Sequence, residues 1–334
     1  MTDGPVKLSV VVIGRNEGDR LIHCLESVTQ GTASIGNTEL IYVDSSSHDG
    51  SPARAAERGA RVLTVHPERP SAAVGRNAGW RIASGDYVLF LDGDTVLDAG
   101  FVAAALPQFE DPSIAVVWGH RRESRPDASI YNRVMDLDWI YPAGPSAFCG
   151  GDALMRRHVL EELGGFSDGL IAGEEPELCQ RIRERGYVIQ HIDQPMTRHD
   201  LAITRWASYW KRAVRAGYAY AEVSQRLKDS RFPLWRREAA RNLIHAGVLL
   251  GALAAGIIAA WAGLGSVAVL GLVAFYAALA LRTAYKVRWK SADRVTLLLY
   301  GLHSHLQQIP IAVGQSLYWL DRVRGRQRFL IEYK

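Results

Sequence analysis

The sequence of 334 residues contains only three cysteines, Cys24, Cys149 and Cys179, and none of them forms a Cys-x-x-Cys pair. Three such residues supply neither a disulfide framework nor a zinc-binding motif, which fits folding in a reducing compartment. The N-terminus has no basic segment ahead of a long apolar core. Its short apolar run therefore predicts a β-strand and not a signal peptide.

Acidic side chains are scarce in the second part of the chain. Residues 201–334 carry 6 acidic and 20 basic side chains, whereas residues 1–200 carry 29 acidic and 19 basic ones. This asymmetry indicates that the second part meets a polyanionic surface. Its basic residues flank apolar runs and aromatic residues without forming a nucleic-acid-binding module, so we expect an anionic membrane and no nucleic acid as the partner.

Charged residues are absent between Arg241 and Arg282, a run of 40 residues. One membrane-spanning helix needs ~20 apolar residues, so the run predicts a membrane hairpin of two helices, about 243–262 and 265–281. Basic residues on both sides predict that both ends face the cytoplasm. A buried hairpin in a soluble protein is the alternative. The mean hydropathy of −0.05 excludes a chain embedded wholly in the membrane.

Amphipathic segments flank this run. Residues 201–241 include a helix rich in tryptophan and arginine, which we expect to lie in the lipid headgroup layer or to pack on the preceding domain. Within residues 242–334, the hairpin is followed by a weakly polar run, 295–320, and a basic tail. A span at 295–320 would carry that tail outside, so we expect a re-entrant or interfacial helix there.

The first 200 residues alternate short apolar runs with helical stretches, which predicts an α/β domain with a Rossmann-like, mostly parallel sheet. The predicted strands are Leu8–Ile13, Leu40–Val43, Val62–Val65, Tyr87–Leu91 and Ile114–Trp118, and the predicted helices are Glu17–Val28, Ser51–Arg58, Ser71–Ala83 and a stretch around Ala99–Leu106. Ligands of such sheets bind beyond the carboxyl ends of the strands.

Polar residues follow three of these predicted strands. The first strand leads to Asn16 and Glu17, the second to Asp44, and the fourth to Asp92 and Asp94. A carboxylate in such a place can accept a hydrogen bond from a nucleoside, and two carboxylates one residue apart can bind a divalent cation that bridges a diphosphate. Each signal alone is also typical of a helix cap or a turn. Together, in order, they favour a nucleotide site.

A series of motifs resembles the family 2 glycosyltransferases, inverting enzymes of the GT-A fold that use nucleotide-sugar donors. The motifs are Ser9–Glu17, Val43–Gly50, Gly75–Gly79, Gly85–Asp94, Cys149–Arg157, Gly164–Phe166 and Gly173–Ile182. The resemblance covers roughly residues 7–225 and implies a GT-A catalytic domain at residues 1–200. It departs from the family at Gly14, where proline is common.

The resemblance implies roles for single residues. The residues that match donor-binding positions are Asn16, Glu17, Asp44, Arg76 and Asp92. Asp92 and Asp94 match the Asp-x-Asp pair that binds Mn²⁺ or Mg²⁺, with Asp94 the more direct ligand, and His199 matches a late histidine near the metal or diphosphate. A surface histidine is the alternative for His199.

The resemblance also implies a catalytic base. Glu175 falls at the base position, where the family more often has aspartate, so Glu174 competes for the role. The alternative for both residues and Glu177 is a solvated first helical turn, where carboxylates favour the positive end of the helix. A carboxylate base is needed because a sugar hydroxyl is a poor nucleophile at neutral pH.

These roles imply metal-dependent, inverting transfer of a single sugar to a lipid-linked or glycan acceptor, with the catalytic domain on the cytoplasmic face of a bacterial inner membrane and glycan-assembly machinery as a partner. Transfer to a polyprenyl phosphate or a glycolipid is the closest alternative. A non-catalytic scaffold that binds nucleotide sugar is another. A glycosidase also uses paired carboxylates, but it does not need an Asp-x-Asp pair at the end of a parallel strand, so the sequence disfavours it. Arg205-Trp206 is similar to part of the Gln-x-x-Arg-Trp motif of processive synthases, but Ala202 stands at the glutamine position and two spans are too few for a polymer channel.

Overall fold

The computed structural model describes residues 7–326, which form two compact units. The first unit comprises residues 7–124, 141–200 and 227–234, and the second comprises 125–140, 201–226 and 235–326. The family resemblance implies a catalytic domain at residues 1–200. In the structure, residues 125–140 belong to the second unit and residues 227–234 to the first. The part of the predicted basic tail beyond residue 326 lies outside the described residues.

Strands and helices are numbered along the chain. The strands of the described residues are β1 (Lys7–Gly14), β2 (Asn37–Asp44), β3 (Arg61–Thr64), β4 (Tyr87–Asp92), β5 (Thr95–Leu97), β6 (Ile114–Glu123), β7 (Gly144–Ser146), β8 (Ala153–Arg156) and β9 (Val188–His199). The α-helices are α1 (Asp19–Gly31), α2 (Ser51–Ala56), α3 (Ala72–Ile82), α4 (Phe101–Ala105), α5 (Ile130–Asp136), α6 (Arg157–Leu163), α7 (Glu174–Glu184), α8 (Trp206–Arg226), α9 (Arg236–Ala259), α10 (Gly265–Lys286), α11 (Arg294–Leu306) and α12 (Gln308–Val323).

All the strands belong to one mixed sheet in the first unit, with the order β3-β2-β1-β4-β8-β6-β9-β5 and β7 paired to β9. The strands β3, β2, β1 and β4 are parallel, whereas β8 runs antiparallel between β4 and β6. Gly14 lies opposite Asp44, and Ile13 lies opposite Asp92. The α/β prediction is therefore confirmed, and the three polar strand ends meet at one edge of the sheet.

The apolar runs become the centre of the sheet because both of their faces are covered. Val10, Val11 and Val12 in β1 have no exposed surface. The sequence did not reveal β9, which contains Gln190, His191, Asp193 and Pro195 and has no apolar run. Its register with β6 is irregular, and its last residues pair with β5.

In the second unit, α8 packs on α12 with very close backbone contact. Gly217 of α8 lies against Ile311, and Gly314 of α12 lies against Val214 and Tyr218. The run 295–320, expected as one helix, forms α11 and α12, which are separated at Gln307.

The uncharged run lies in α9 and α10. A π-helical turn, Ala260–Leu264, joins them, and Gly263 has a φ of +86° that interrupts the helix. Tyr276 donates a hydrogen bond to the carbonyl of Leu249 at 2.9 Å, so α10 folds back along α9. The segment Arg236–Lys286 is the one part of residues 7–326 that is long and apolar enough to cross a membrane. Its most apolar window has a mean hydropathy of 2.2 and is 6% buried.

Candidate active site at the carboxyl edge of the sheet

The loops after β1 and β2 are bound to each other by hydrogen bonds. The Asn16 amide N donates to Ser47 Oγ at 2.8 Å, and Asn16 Oδ1 accepts from the His48 amide at 2.8 Å. The Ser47 amide in turn donates to Asp44 Oδ2 at 3.0 Å. Asn16 has a φ of +55°, a strained conformation that asparagine tolerates better than most residues. The structure thus brings Asn16 and Asp44 together through the second loop.

Asp44 is buried, and its other carboxylate oxygen accepts a hydrogen bond from the Tyr42 hydroxyl at 3.2 Å. Burial and the nearby Asp44 charge raise the pKa of Tyr42, so Tyr42 remains a neutral donor. Glu17 pairs with Arg20 at 2.7 Å. A Cβ at Gly93 would lie 3.2 Å from Glu17 Cγ, so Glu17 sits directly beside the Asp-x-Asp turn.

Asp92, Asp94 and His199 converge at the predicted metal position. One ligand atom from each lies within 4.8 Å of the others. His199 Nε2 is 3.1 Å from Asp94 Oδ1, because β5 and β9 pair with Thr95 opposite His199. Two carboxylates and one imidazole suit Mn²⁺ or Mg²⁺, so this donor set fits the cation that the sequence implies. His199 is 6% exposed, and the alternative of a surface histidine is wrong.

Arg76 lies in the middle of the acidic side chains. It projects from α3, whose first turn is capped by the Ser71 hydroxyl. Its Nη2 is 2.8 Å from Asp92 Oδ1, and its Nη1 is 3.0 Å from Glu174 Oε1 and 2.9 Å from Glu175 Oε1. Burial acts to lower the pKa of Arg76, but the surrounding carboxylates outweigh it and raise the pKa above the ordinary value. Arg76 is therefore permanently charged.

The two candidate bases begin α7, after Gly173 with its φ of +87°. The Glu174 side chain is 5% exposed and the Glu175 side chain is 16% exposed. Glu177 is also buried, and it accepts hydrogen bonds from Ser167 and Arg181. A solvated helical turn is therefore wrong for Glu174 and Glu177.

Two further residues belong to this site and were missed as site residues. Asp152 Oδ1 accepts the Asp92 amide at 3.1 Å, and its Oδ2 accepts the Thr197 hydroxyl at 2.7 Å. Arg121 Nη2 is 3.5 Å from Asp92 Oδ2, and its Nε is 3.6 Å from Asp152 Oδ2. Asp152 lies inside a recognised motif and was open to prediction. Arg121 could not be predicted as a strand residue, because the apolar run of β6 ends at Trp118 while the strand continues to Glu123.

Two of the cysteines lie close to these acidic residues. Cys149 Sγ and Cys179 Sγ are 3.6 Å apart, both are buried, and neither forms a disulfide. The hydrogen bond to Cys179 and burial both raise the pKa of Cys149, so that thiol stays protonated and acts as a packing group.

Comparison with known proteins identifies the family. A model described as "Glycosyl transferase family 2" matches residues 9–164, and one described as "Glycosyl transferase family group 2" matches residues 87–285, more than half of the chain. The pre-mycofactocin glycosyltransferase of Mycobacterium tuberculosis is 27% identical over 214 residues, 59% of this chain and 45% of that protein. The O-antigen chain rhamnosyltransferase RfbN of Salmonella typhimurium is 24% identical over 212 residues, 58% of this chain and 66% of that protein.

The chain thus spans less than two thirds of the length of these relatives. A solved structure, the mannosyltransferase PcManGT from Pyrobaculum calidifontis in complex with GDP-Man and Mn²⁺, has a TM-score of 0.63 at 23% identity and covers 90% of this chain and 87% of that one. It confirms the GT-A fold. The chain belongs to the family 2 glycosyltransferases and has the GT-A fold.

Proposed function

We propose that this enzyme transfers a single sugar, with inversion at the anomeric carbon, from a nucleotide-sugar donor to a lipid-linked acceptor at the cytoplasmic face of a bacterial inner membrane. The observation that carries the proposal is the convergence of Asp92, Asp94 and His199 beside an acidic residue, Glu175, whose side chain remains partly exposed. Asp92, Asp94 and His199 suit a donor diphosphate with its cation, and Glu175 suits an acceptor hydroxyl.

The donor would bind at the carboxyl ends of β1, β2 and β4. Asn16, Glu17 and Asp44 would offer oxygen atoms and backbone groups to the nucleoside, and Asp92, Asp94 and His199 would hold a divalent cation. When bound, Mn²⁺ or Mg²⁺ neutralises the negative charge that develops on the departing nucleoside diphosphate. The solved relative with GDP-Man and Mn²⁺ supports this assignment at the level of the fold.

Glu175 suits the role of base better than Glu174. Arg76 holds its Oε1 at 2.9 Å, and Oε2 has no hydrogen-bond partner among residues 7–326. As the acceptor oxygen bonds to the anomeric carbon and the bond to the diphosphate breaks, Oε2 can take the hydroxyl proton. Glu174 is more deeply buried and bound to the same guanidinium nitrogen, so it supports the arrangement rather than the proton transfer. A single displacement inverts the anomeric configuration, and an α-linked donor gives a β-linked product.

The hairpin formed by α9 and α10 would anchor the enzyme with two spans. Its apolar side chains face outward, with Ile258 and Leu270 each 69% exposed and Trp261 at the turn 90% exposed. Exposure of such an apolar surface to water is unfavourable, whereas contact with the apolar lipid chains of a membrane is favourable. Basic residues at both ends of the hairpin support a cytoplasmic location for the first unit. The relative named as an O-antigen chain rhamnosyltransferase supports an acceptor from glycan assembly, and hence assembly machinery as a partner.

A donor screen tests the proposal. The full chain in detergent is incubated with Mn²⁺, a bacterial lipid extract and radiolabelled uridine, guanosine and thymidine diphosphate sugars. We expect labelled lipid with one donor class, loss of product with Asp94→Ala, and a ~10²–10⁴-fold lower kcat with Glu175→Gln. Glu161→Gln is the matched control because Glu161 is an exposed residue of α6 paired with Arg157.

Each outcome bears on a separate element of the proposal. Donor binding without transfer, for every donor and acceptor fraction, would favour a nucleotide-sugar-binding scaffold. Unchanged activity of Asp94→Ala would contradict the cation site. An α-linked product from an α-linked donor would refute single displacement.

A further inference from the structure

Arg76 makes more contacts with carboxylates than a residue devoted to donor binding requires. Its two terminal nitrogens are both occupied, Nη2 by Asp92 and Nη1 by Glu174 and Glu175. The side chain is 2% exposed, and its Nε is buried without a hydrogen-bond partner among the described residues. A phosphate would have to displace a carboxylate to reach it.

The residues around Arg76 come from three separate parts of the chain. Asp92 ends β4, whereas Glu174 and Glu175 begin α7. Gly151, from the third part, lies directly against the guanidinium group of Arg76. A Cβ at this position would meet Arg76 Nη2 and would lie 3.0 Å from Glu175 Oε1. The arrangement therefore depends on a glycine as well as on the guanidinium.

We propose that Arg76 is a positioning residue that connects the cation-binding Asp92 to the base Glu175 and does not itself bind the donor. This inference rests on the proposed function. Since Arg76 binds one oxygen of each carboxylate, it orients Asp92 toward the cation site and leaves Glu175 Oε2 for the acceptor hydroxyl. The donor and the acceptor thereby meet at a fixed separation.

The planar guanidinium is needed because two of its nitrogens point to different partners. A lysine carries the same charge but presents one point donor on a flexible stem, so it cannot hold both carboxylates in fixed directions. Misplacement of a reacting group by about 1 Å can cost ~10²-fold in rate. Loss of the connection should therefore reduce kcat, whereas loss of a donor contact should raise the KM for the donor.

The test compares Arg76→Lys, Arg76→Met, Glu175→Gln and the double variant Arg76→Met/Glu175→Gln in the full chain. We expect kcat to fall ~10²-fold in Arg76→Lys and Arg76→Met, with a much smaller change in the donor KM. We also expect the double variant to lose less than the product of the two single losses, since residues that act as a unit are not additive. Arg81→Met, an exposed arginine on the same helix, is the matched control.

Gly151→Ala provides a second perturbation that retains the arginine charge. We expect it to lower kcat as Arg76→Lys does, with the circular dichroism spectrum unchanged. This variant keeps the inference testable where Arg76→Met does not fold.

The results separate the two proposals. A donor KM that rises with kcat retained, rescue by Arg76→Lys, or additive losses in the double variant would each overturn the positioning role of Arg76. Full activity of Glu175→Gln alone would instead contradict the proposed base, which Arg76 variants do not test.

Discussion

The contact between α8 and α12 allows a quantitative prediction. Gly314→Ala adds a Cβ that would lie 2.8 Å from the Tyr218 amide nitrogen and 2.9 Å from the Val214 carbonyl carbon. Gly217→Ala adds one 2.7 Å from the Ile311 carbonyl carbon. Ordinary van der Waals contact of a Cβ begins at 3.4 Å, and backbone atoms of a packed helix cannot rotate away. In each variant the nearest atom is a facing carbonyl oxygen, that of Val214 or that of Ile311, which lies closer still, so the two helices must move apart to admit the added methyl group.

The expected cost follows from two opposing effects. Overpacking a tight contact destabilises by ~1–3 kcal/mol. Replacing glycine by alanine inside a helix returns about 1 kcal/mol of helix propensity. Each single variant should therefore be less stable by up to ~2 kcal/mol. The double variant should lose less than the sum, because one separation of the helices relieves both clashes.

Thermal unfolding in detergent, followed by loss of the monodisperse peak in size-exclusion chromatography, measures this effect. Gly247→Ala is the matched control, since a Cβ at Gly247 has nothing within 4 Å. We expect the control to equal or exceed the wild-type midpoint, while Gly314→Ala lowers it. A Gly314→Ala midpoint equal to that of Gly247→Ala would refute the close contact.

Three further predictions concern other sites. Asn77→Asp should lower the unfolding midpoint strongly, because the buried Asn77 side-chain amide donates to the Phe166 carbonyl at 2.8 Å. A carboxylate cannot donate, so the Phe166 carbonyl loses this hydrogen bond at a cost of ~1–3 kcal/mol in the free energy of unfolding. Asp138→Asn should reduce stability most at neutral pH. Burial acts to raise the pKa of Asp138, but hydrogen bonds from His303 and Tyr300 outweigh burial and lower the pKa below its ordinary value of 3.8. The ionised Asp138 therefore stabilises the fold above its unfolded-state pKa, and this stability is lost as the pH falls through the lower folded-state pKa. Midpoints of both variants between pH 3 and pH 7 check these two predictions. Chelation by EDTA should abolish transfer, and added Mn²⁺ or Mg²⁺ should restore it.

The sequence predicted the fold where local pattern and tertiary environment agree. The strands β1 and β4 were recognisable because burial on both faces demands a continuous apolar run. The strand β9 was not, because its partners β5, β6 and β7 cover an irregular, partly polar strand that has no periodic signal. This matters for function, since β9 is the element that brings His199 to Asp94.

Most carboxylates of the site were also recognisable from local motifs, whereas the pairing of Arg76 with them was not. Arg76 was expected at the donor because it lies in a donor-side motif, and only the folded chain shows it against Glu175, 99 positions away in the sequence. A motif specifies which residue is present but not which distant charge it meets. Assigning Arg76 required the three-dimensional pairing of α3 with the start of α7.

The charge balance of the site explains why the acid-rich part of the chain still suits an anionic donor. Asp92, Asp94, Asp152, Glu174 and Glu175 gather at one edge of the sheet, where Arg76 pairs with Asp92, Glu174 and Glu175, and Arg121 pairs with Asp92 and Asp152. Carboxylates in this excess repel a diphosphate, and partial burial strengthens the repulsion because the local dielectric is low. A divalent cation bound at the Asp-x-Asp pair, as proposed, would reverse the sign of the local potential. Arg76 is a poor substitute for the cation, since its terminal nitrogens are already paired with Asp92, Glu174 and Glu175. The acidic composition and the proposed need for a cation are therefore two consequences of the same arrangement.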